Sequence, residues 1–360
     1  MSAKRLSCAF ANDSFLFKSS ALMIRNLFLM VCLVATCSQG IAQEVTTKVF
    51  ASNLKNPWGV AIRPVIGEIF VSDTGRGRII HVTRDSINEI VSEFPMEEFE
   101  LDRGLILGPM ALGFRGRNRL IVGTGGGQDG EDSISVYDIE NVENGTLKAK
   151  DFEYQKILDA DGDQPAEGNF FNMVRSKYSL FVSCNGDKKK GWIASSQLLV
   201  NDMGDLKRLI PTNEKAGVPS PGGICISPEK HLVIAQMGTR DTPGDSILTF
   251  YSEGGELLDK FPTGLSDIVA MAYGPRKKRL YALDFNWAEP KKGGLYKLVA
   301  VDSQEGCTAE LVTYLDRPTA MAFDKNGNLY VTVCGFDDEE SDVDEEYSAP
   351  GKCLLIRGVD

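Results

Sequence analysis

"NPWGVAIRPVIGEIFVSD", residues 56–73, and "RPTAMAFDKNGNLYVTVC", residues 317–334, follow one pattern. Each runs from a proline through a short apolar stretch and a turn to a second run of β-branched and aromatic residues. Four other segments repeat the pattern: "GPMALGFRGRNRLIVGTG" from 108, "NFFNMVRSKYSLFVSCN" from 169, "PGGICISPEKHLVIAQ" from 221 and "SDIVAMAYGPRKKRLYALD" from 266. The repeats are marked by Pro57, Pro109, Phe170, Pro221, Asp267 and Pro318, at steps of 52, 61, 51, 46 and 51 residues. A period near 50 residues is typical of propeller blades or solenoids.

Each repeat is followed by two more strand-like runs, such as "RIIHVTR" at 78–84 and "INEIVSEF" at 87–94. The unit is therefore strand, turn, strand, loop, strand, turn, strand. This pattern predicts an all-β fold, a six-bladed β-propeller of four-stranded blades. The sixth unit ends after its third strand, and "TTKVFASNL" at 46–54 is predicted to supply its fourth strand. Such pairing closes the ring and removes an open sheet edge.

The composition divides the chain into a leader and one large domain. Residues 1–42 contain a basic start at Met23, an apolar run from Leu27 to Ala35 and a small-residue cleavage site, which predicts a signal peptide with Met23 as a second possible start. We therefore expect residues 43–360 to form the propeller of an exported protein, secreted or periplasmic. The chain has 360 residues and a net charge of -11, which argues against binding to nucleic-acid phosphates.

Two local features leave alternatives open. Cys334 ends the second strand of the sixth unit and Cys353 begins its third, so either a disulfide or two buried thiols is expected there. Residues 337–346 hold eight carboxylates. Such a block is predicted to form a solvated, mobile loop, which calcium would partly order.

The repeated segments resemble the NHL-repeat group of six-bladed propellers, within the TolB-like propeller superfamily. The last two units, "AMAYGPRKKRLYALDFNWAEPKKGGLYKL" and "AMAFDKNGNLYVTVC", resemble most closely the sorbosone-dehydrogenase-like propellers. The resemblance covers about residues 46–360. It implies a fold similar to that of the gluconolactonases and the soluble quinoprotein sugar dehydrogenases.

The loop lengths indicate where a ligand would bind. Turns between the first and second strands are short, whereas loops between the second and third strands are long and share one face with the segments that enter each blade. Long loops on a rigid scaffold usually carry the binding function. The predicted ligand-binding residues of this long-loop face are Trp58, Asp73, Arg76, Asn169, Asn185, Arg240, Asp267, Asp284, Asn286 and Trp287.

The resemblance implies two kinds of chemistry, and the residues support each only in part. Quinone-dependent relatives use a histidine base, but His81 lies in a third strand and His231 in a short turn on the opposite face. Lactonase-like relatives hold a divalent cation with a Glu, an Asn and an Asp at the channel mouth. Asn169, Asp267 and Asp284 are the candidate ligands here, for calcium above all.

These observations favour an exported propeller that binds a protein, glycan or small ligand without catalysis. The alternative is a metal-dependent, lactonase-like hydrolase or a relative of the quinone-dependent sugar dehydrogenases. No catalytic base with a positioned partner stands out in the sequence, which is why binding is preferred. We expect a monomer with no nucleic-acid partner, no membrane span in the mature chain and no cofactor beyond a calcium ion.

Overall fold

The computed structural model describes residues 44–99, 105–128, 130–140, 142, 146–160, 168–184, 191–300, 306–334 and 350–360. The predicted signal peptide, Asn185 and the acidic segment 337–346 lie outside the described residues. The described chain begins with β1 (Thr46–Leu54).

Blades one to three follow the predicted strand order. Blade one contains β2 (Pro57–Ile62), β3 (Ile69–Asp73), β4 (Arg78–Val82) and β5 (Ile87–Ser92). A hairpin of β6 (Glu97–Glu98) and β7 (Ile106–Leu107) leads to blade two. Blade two contains β8 (Pro109–Arg115), β9 (Arg119–Thr124), β10 (Ser133–Asp138) and β12 (Tyr154–Ile157). Strand β11 (Leu147–Lys148) lies between β10 and β12 in the chain. Blade three contains β13 (Phe170–Arg175), β14 (Ser179–Cys184), β15 (Trp192–Gln197) and β16 (Lys207–Pro211).

Blades four to six complete the ring. Blade four contains β17 (Pro221–Ile226), β18 (Leu232–Gln236), β19 (Ile247–Tyr251) and β20 (Leu257–Pro262). Blade five contains β21 (Ile268–Tyr273), β22 (Leu280–Asp284), β23 (Gly294–Ala300) and β24 (Cys307–Tyr314). Blade six contains β25 (Pro318–Phe323), β26 (Leu329–Val333), β27 (Gly351–Arg357) and β1.

Helical segments are short and lie between strands. They are α1 (Thr212–Ala216) and the 3-10 turns Thr74–Arg76 and Pro290–Lys292. Within the ranges given above, no helix is both long enough and apolar enough to cross a membrane.

The predicted six-bladed propeller is confirmed, including its closure. Five inner strands begin at the predicted marker residue, and β21 begins one residue after it. Strand β1 pairs antiparallel with β27, from Thr46 opposite Arg357 to Leu54 opposite Gly351. One strand departs from the four-stranded unit: β11 lies between β10 and β12 in the chain but pairs in parallel with β5, so it belongs to the sheet of blade one.

Apolar residues fill the spaces between adjacent blades. Strands one to three of a blade are buried on both faces, because each blade is covered by a neighbour on either side. Between blades one and two, for example, Phe70 and Phe114 meet edge to face, with ring centroids 5.2 Å apart. Blades three and four bury Phe181, Ile193 and Ile234 in the same way.

No disulfide joins any two of the five described cysteines. Cys353 lies opposite Thr332, and Cys334 follows the end of β26, so the two cysteines do not face one another across the strand pair. The structure therefore has two buried thiols here instead of a disulfide. Burial raises the pKa of Cys353 to about 12, which keeps this thiol protonated and unreactive at neutral pH.

A β-bulge follows the first residue of every inner strand. A bulge leaves one residue without a ladder partner. In blade three the hydroxyl of Ser183 supplies hydrogen bonds at the bulge. It accepts the N–H of Asn172 (3.1 Å) and donates to the carbonyl of Gly222 in blade four (2.8 Å). Hydroxyls on the second strands of blades one and six make equivalent bonds: Ser72 to Gly59 and Met110, and Thr332 to Ala320 and Trp58.

The hydroxyl bridge of blade three is directly testable. Replacing Ser183 with Ala is expected to lower the free energy of unfolding by about 2 kcal/mol, because a buried N–H and a buried carbonyl each lose a partner. Urea unfolding followed by circular dichroism measures the change. Ser179→Ala on the same strand is the control, and its effect should stay within about 0.5 kcal/mol. Equal stability of the two variants would contradict a structural role for the Ser183 hydroxyl.

Candidate functional site

Several predicted ligand-binding residues lie at strand ends on one face of the ring. Inner strands begin and second strands end at the long-loop face, so Asp73 and Asp284 close β3 and β22 there. Asn169 and Asp267 immediately precede β13 and β21 at the same end. Beyond this shared location, the structure gives these side chains very different surroundings.

Trp58 was predicted at the ligand-binding face, but the structure buries it in the channel. Its side chain is 2% exposed and meets Phe171 edge to face, with ring centroids 4.9 Å apart. The hairpin of β6 and β7 crosses the channel mouth, where Leu105 joins the same apolar cluster and Phe99 approaches Trp287 at 6.3 Å. Among the described residues, apolar and aromatic side chains therefore occupy this part of the channel.

Asp73 and Arg76 hold the entrance to blade one. The fully buried carboxylate of Asp73 accepts the backbone N–H of Lys55 at 2.7 Å. It also pairs with the guanidinium groups of Arg76 at 3.0 Å and Arg78 at 2.8 Å. Since these donors surround the carboxylate, Asp73 serves the fold at this position.

Asn169 lies between blades two and three. It adopts a left-handed conformation, with φ 57°, and its N–H donates to Asp132 Oδ2 at 2.8 Å. Its Oδ1 atom is buried without a hydrogen-bond donor among the described residues. Asn169 thus contacts blade two, whereas Asp267 and Asp284 are bonded to one another in blade five. Calcium binding by these three residues stays a prediction.

Blade five brings five of the predicted residues together. Asp284 Oδ1 accepts the N–H of Asp267 at 2.7 Å, and Asp284 Oδ2 accepts the N–H of Ser266 at 3.3 Å. The next segment turns back at Asn286, where φ is 55°, and delivers the N–H of Trp287 to Asp267 Oδ2 at 2.8 Å. The guanidinium of Arg240, from blade four, lies 4.8 Å from the centre of the Trp287 ring. Asp267, Asp284, Asn286, Trp287 and Arg240 are called the blade-five cluster below.

The two carboxyls of the blade-five cluster have raised pKa values. Burial raises the pKa of Asp267 to about 7; the Trp287 N–H opposes this shift, Asp284 and Asp245 add to it, and Arg240 opposes it. Burial also raises the pKa of Asp284, against the donors that it accepts from Asp267, Ser266 and Asn286. Asp267 is thus a buried carboxyl that changes charge near neutral pH.

A cleft of about 700 Å³ opens beside this cluster, between blades four and five. Its walls are rich in hydroxyl, amide and charged groups, contributed by Thr263, Ser266, Asp284, Asn286, Glu289, Lys292, Tyr296 and Thr308. Of these, the sequence indicated Asp284 and Asn286. Thr263, Tyr296 and Thr308 come from outer strands or their ends, whose side chains no motif connects to the long-loop face.

The comparisons with known proteins identify the fold. No family model matches the chain, and no curated protein matches it. Among solved structures, it is similar to a glucose dehydrogenase-type oxidoreductase from Thermus thermophilus, with 15% identity, a TM-score of 0.59 and coverage of 87% of this chain and 99% of that one. A soluble aldose sugar dehydrogenase from Escherichia coli is 14% identical, with a TM-score of 0.58 and coverage of 87% of this chain and 99% of that one. A gluconolactonase from Xanthomonas campestris is 11% identical, with a TM-score of 0.54 and coverage of 88% of this chain and 92% of that one.

At these identities the likeness establishes the propeller fold and leaves the chemistry to the residues. A quinone site with a histidine base does not fit them. His81, on β4, stacks on Phe70 of β3, with ring centroids 5.1 Å apart. His231 lies in the turn that precedes β18, at the opposite end of the blade. The described ranges contain no group of three or more His, Cys, Asp and Glu side chains that could hold a metal ion. The calcium site expected from one Asn and two Asp stays a prediction.

Proposed function

We propose that the protein is an exported enzyme that binds a small hydroxylated molecule of the sugar or sugar-lactone class in the cleft between blades four and five. Asp267 is its proton-exchanging group. The observation that carries the proposal is a cleft lined by Ser266 and Asp284, with Asp267 directly behind this lining: its N–H donates to Asp284, and burial raises its pKa to about 7. Strongly perturbed carboxyls with specific charged neighbours mark functional sites.

The lining of the cleft supports the substrate class. Hydroxyl, carboxylate, amide and ammonium groups from Ser266, Asn286, Glu289 and Lys292 suit a ligand that both donates and accepts hydrogen bonds. The names of the structural neighbours, which include glucose and aldose sugar dehydrogenases and a gluconolactonase, point to the same compounds. The NHL-repeat assignment belongs to this proposal as well, since it rests on the turn pattern of the sequence.

The arrangement of the carboxyls suggests the reaction. With a pKa near the working pH, Asp267 accepts a proton in one step and returns it in another at little cost. In the hydrolysis of a lactone it would take the proton of the attacking water. Asp284 is a positioning residue, because its carboxylate accepts the N–H groups of Ser266 and Asp267.

The test measures binding and turnover separately. Calorimetry with glucose and gluconolactone measures affinity, and a pH-stat measures lactone hydrolysis above the spontaneous rate. Asp267→Asn is expected to lower turnover by about 100-fold with little change in affinity. Asp259→Asn, an exposed carboxylate on β20, is the matched control and should change neither quantity.

Each outcome distinguishes one hypothesis. Affinity without turnover in the unmodified protein would support the non-catalytic binding hypothesis. Turnover that is lost on chelation and restored by calcium would support the metal-dependent one. If none of the sugars and lactones binds, the proposed substrate class is wrong.

A further inference from the structure

The face opposite the cleft is strongly basic near the propeller axis. It is formed by the turns that join the first and second strands of the six blades, together with the residues that bound them: 63–68, 115–119, 175–179, 227–231, 274–279 and 324–328. These segments contain twelve Lys or Arg and three Asp or Glu, in a chain whose net charge is -11. We call this surface the short-turn face. Its exposed cations include Arg117, Lys177, Lys230, Lys277, Lys278 and Lys325.

The distribution of charge is radial. The outer turns on the same face, between third and fourth strands, carry more acidic than basic groups: Asp85, Glu140, Asp202, Asp205, Glu253 and Glu256, with Arg84 beside Asp85. Because the first two strands of a blade are nearest the axis, the positive charge is concentrated at the centre of the face. The negative net charge of the whole chain therefore does not represent the local charge of the short-turn face.

Hydrogen bonds join the turns of blades one to three into one continuous surface. Arg63 Nε donates to the carbonyl of Arg117, and Arg63 Nη2 donates to Asn118 Oδ1, both at 2.7 Å. Arg115 Nη2 donates to the carbonyl of Val200 at 2.8 Å. These bonds fix the positions of the turn tips, so the groups at the tips are presented by a rigid scaffold.

Large apolar side chains project from this end of the propeller, both from the short turns and from the outer turn of blade three. Val65 is 85% exposed in the turn of blade one, and Val200 is 90% exposed at the tip between β15 and β16. Tyr178 is 64% exposed, with Lys177 Nζ 4.8 Å from its ring centre. Ile66 and Leu199, next to the two valines, are also exposed. Apolar groups gathered among cations on one face indicate an interaction surface.

Val65 has an unfavourable backbone conformation in addition. Its φ of 73° lies in the left-handed region, which β-branched residues rarely adopt. Backbone hydrogen bonds from Ile66 to Pro64 and from Gly67 to Arg63 hold this conformation, but the exposed side chain adds no core packing to it. Strain retained at an exposed position is a reason to look for a function there.

We propose that the short-turn face docks on a membrane surface with anionic headgroups. The basic turns around the axis attract the headgroups, and Val65, Val200 and Tyr178 enter the interfacial layer, where apolar and aromatic side chains are stabilised. A hydrated polyanion would satisfy the cations but would leave these three side chains in water, which is why a lipid surface is preferred. Docking in this orientation leaves the cleft between blades four and five open to solution.

Vesicle flotation with the purified mature protein tests the proposal. We expect binding to phosphatidylcholine vesicles rich in phosphatidylglycerol and little binding to phosphatidylcholine alone. Arg117→Gln, Lys277→Gln and Lys278→Gln together should lower partitioning by about 100-fold. The matched control replaces three exposed lysines at the other end, Lys55, Lys215 and Lys291, with Gln, and should bind as the unmodified protein does.

A second pair of variants tests the apolar contribution. Val65→Asn with Val200→Asn should lower partitioning by about tenfold or more, and it should raise the melting temperature, because Asn tolerates positive φ. Val49→Asn with Leu311→Asn, exposed on outer strands, is the control. Equal binding to neutral vesicles, binding unaffected by both test variants, or binding to heparin or DNA but not to vesicles would each overturn the proposal.

Discussion

A chain shortened to begin at Lys55 is expected to be largely unfolded. The missing segment contains β1, which pairs with β27 from Thr46 to Leu54 and buries Ala51 and Leu54. Losing a buried leucine costs about 2–5 kcal/mol, and the backbone bonds of the lost strand pair add about 1 kcal/mol each. The total approaches the roughly 5–15 kcal/mol that separates folded from unfolded domains in general.

Circular dichroism during urea and thermal unfolding measures the effect of this deletion. Leu54→Ala should account for part of the loss, because the side chain is 2% exposed. Val49→Ser, on the same strand but 57% exposed, should change stability by less than about 0.5 kcal/mol. If the shortened protein melts at the temperature of the full mature chain, β1 does not close the ring energetically.

The strand order was accessible from sequence because of how propeller strands are buried. The inner strands of each blade are covered on both faces, so they appear as continuous apolar runs separated by short polar turns. Pro57, Pro109, Pro221 and Pro318 mark the entry to four of them. Proline suits the first residue of a strand, where its missing N–H costs no ladder bond.

The direction of individual side chains was not accessible in the same way. Trp58 was predicted at the surface because it follows Pro57 at the long-loop end, but the bulge after Pro57 shifts the register of β2 against β3. The side chain is buried against Phe171 of blade three. A bulge leaves no consistent signal in the sequence, and the hydroxyls that stabilise it differ between blades.

The candidate site was accessible only in part for a related reason. Asp267, Asp284, Asn286 and Trp287 lie within 21 consecutive residues, so local reasoning connected them. The cleft beside them needs Thr263 from the end of blade four and Thr308 from the outer strand of blade five. Their approach depends on the packing of two blades, which no motif encodes. The basic short-turn face was obscured similarly, because its cations are distributed over six turns of a chain with a negative net charge.

The stability of the folded protein is expected to fall between about pH 4 and pH 7 through the titration of Asp267. Burial raises its pKa to about 7 in the folded state, whereas an unfolded aspartate titrates near 3.8. The folded state thus binds the proton more tightly, and the free energy of unfolding decreases as pH rises between the two values and is constant above them. The loss is on the order of 3–4 kcal/mol, at about 1.4 kcal/mol per pKa unit.

Asp267→Asn isolates this contribution from that of every other titrating group. The amide keeps an oxygen that accepts the Trp287 N–H but carries no charge at any pH, so the variant should match the unmodified protein near pH 4 and exceed its stability at pH 8. Urea unfolding of both proteins across this range gives the difference directly. Asp259→Asn, exposed on β20, should show no pH-dependent difference. A variant that is less stable than the unmodified protein at pH 8 would mean that Asp267 is ionised and held by Arg240 in the folded state, and it would remove the basis for assigning proton exchange to this carboxyl.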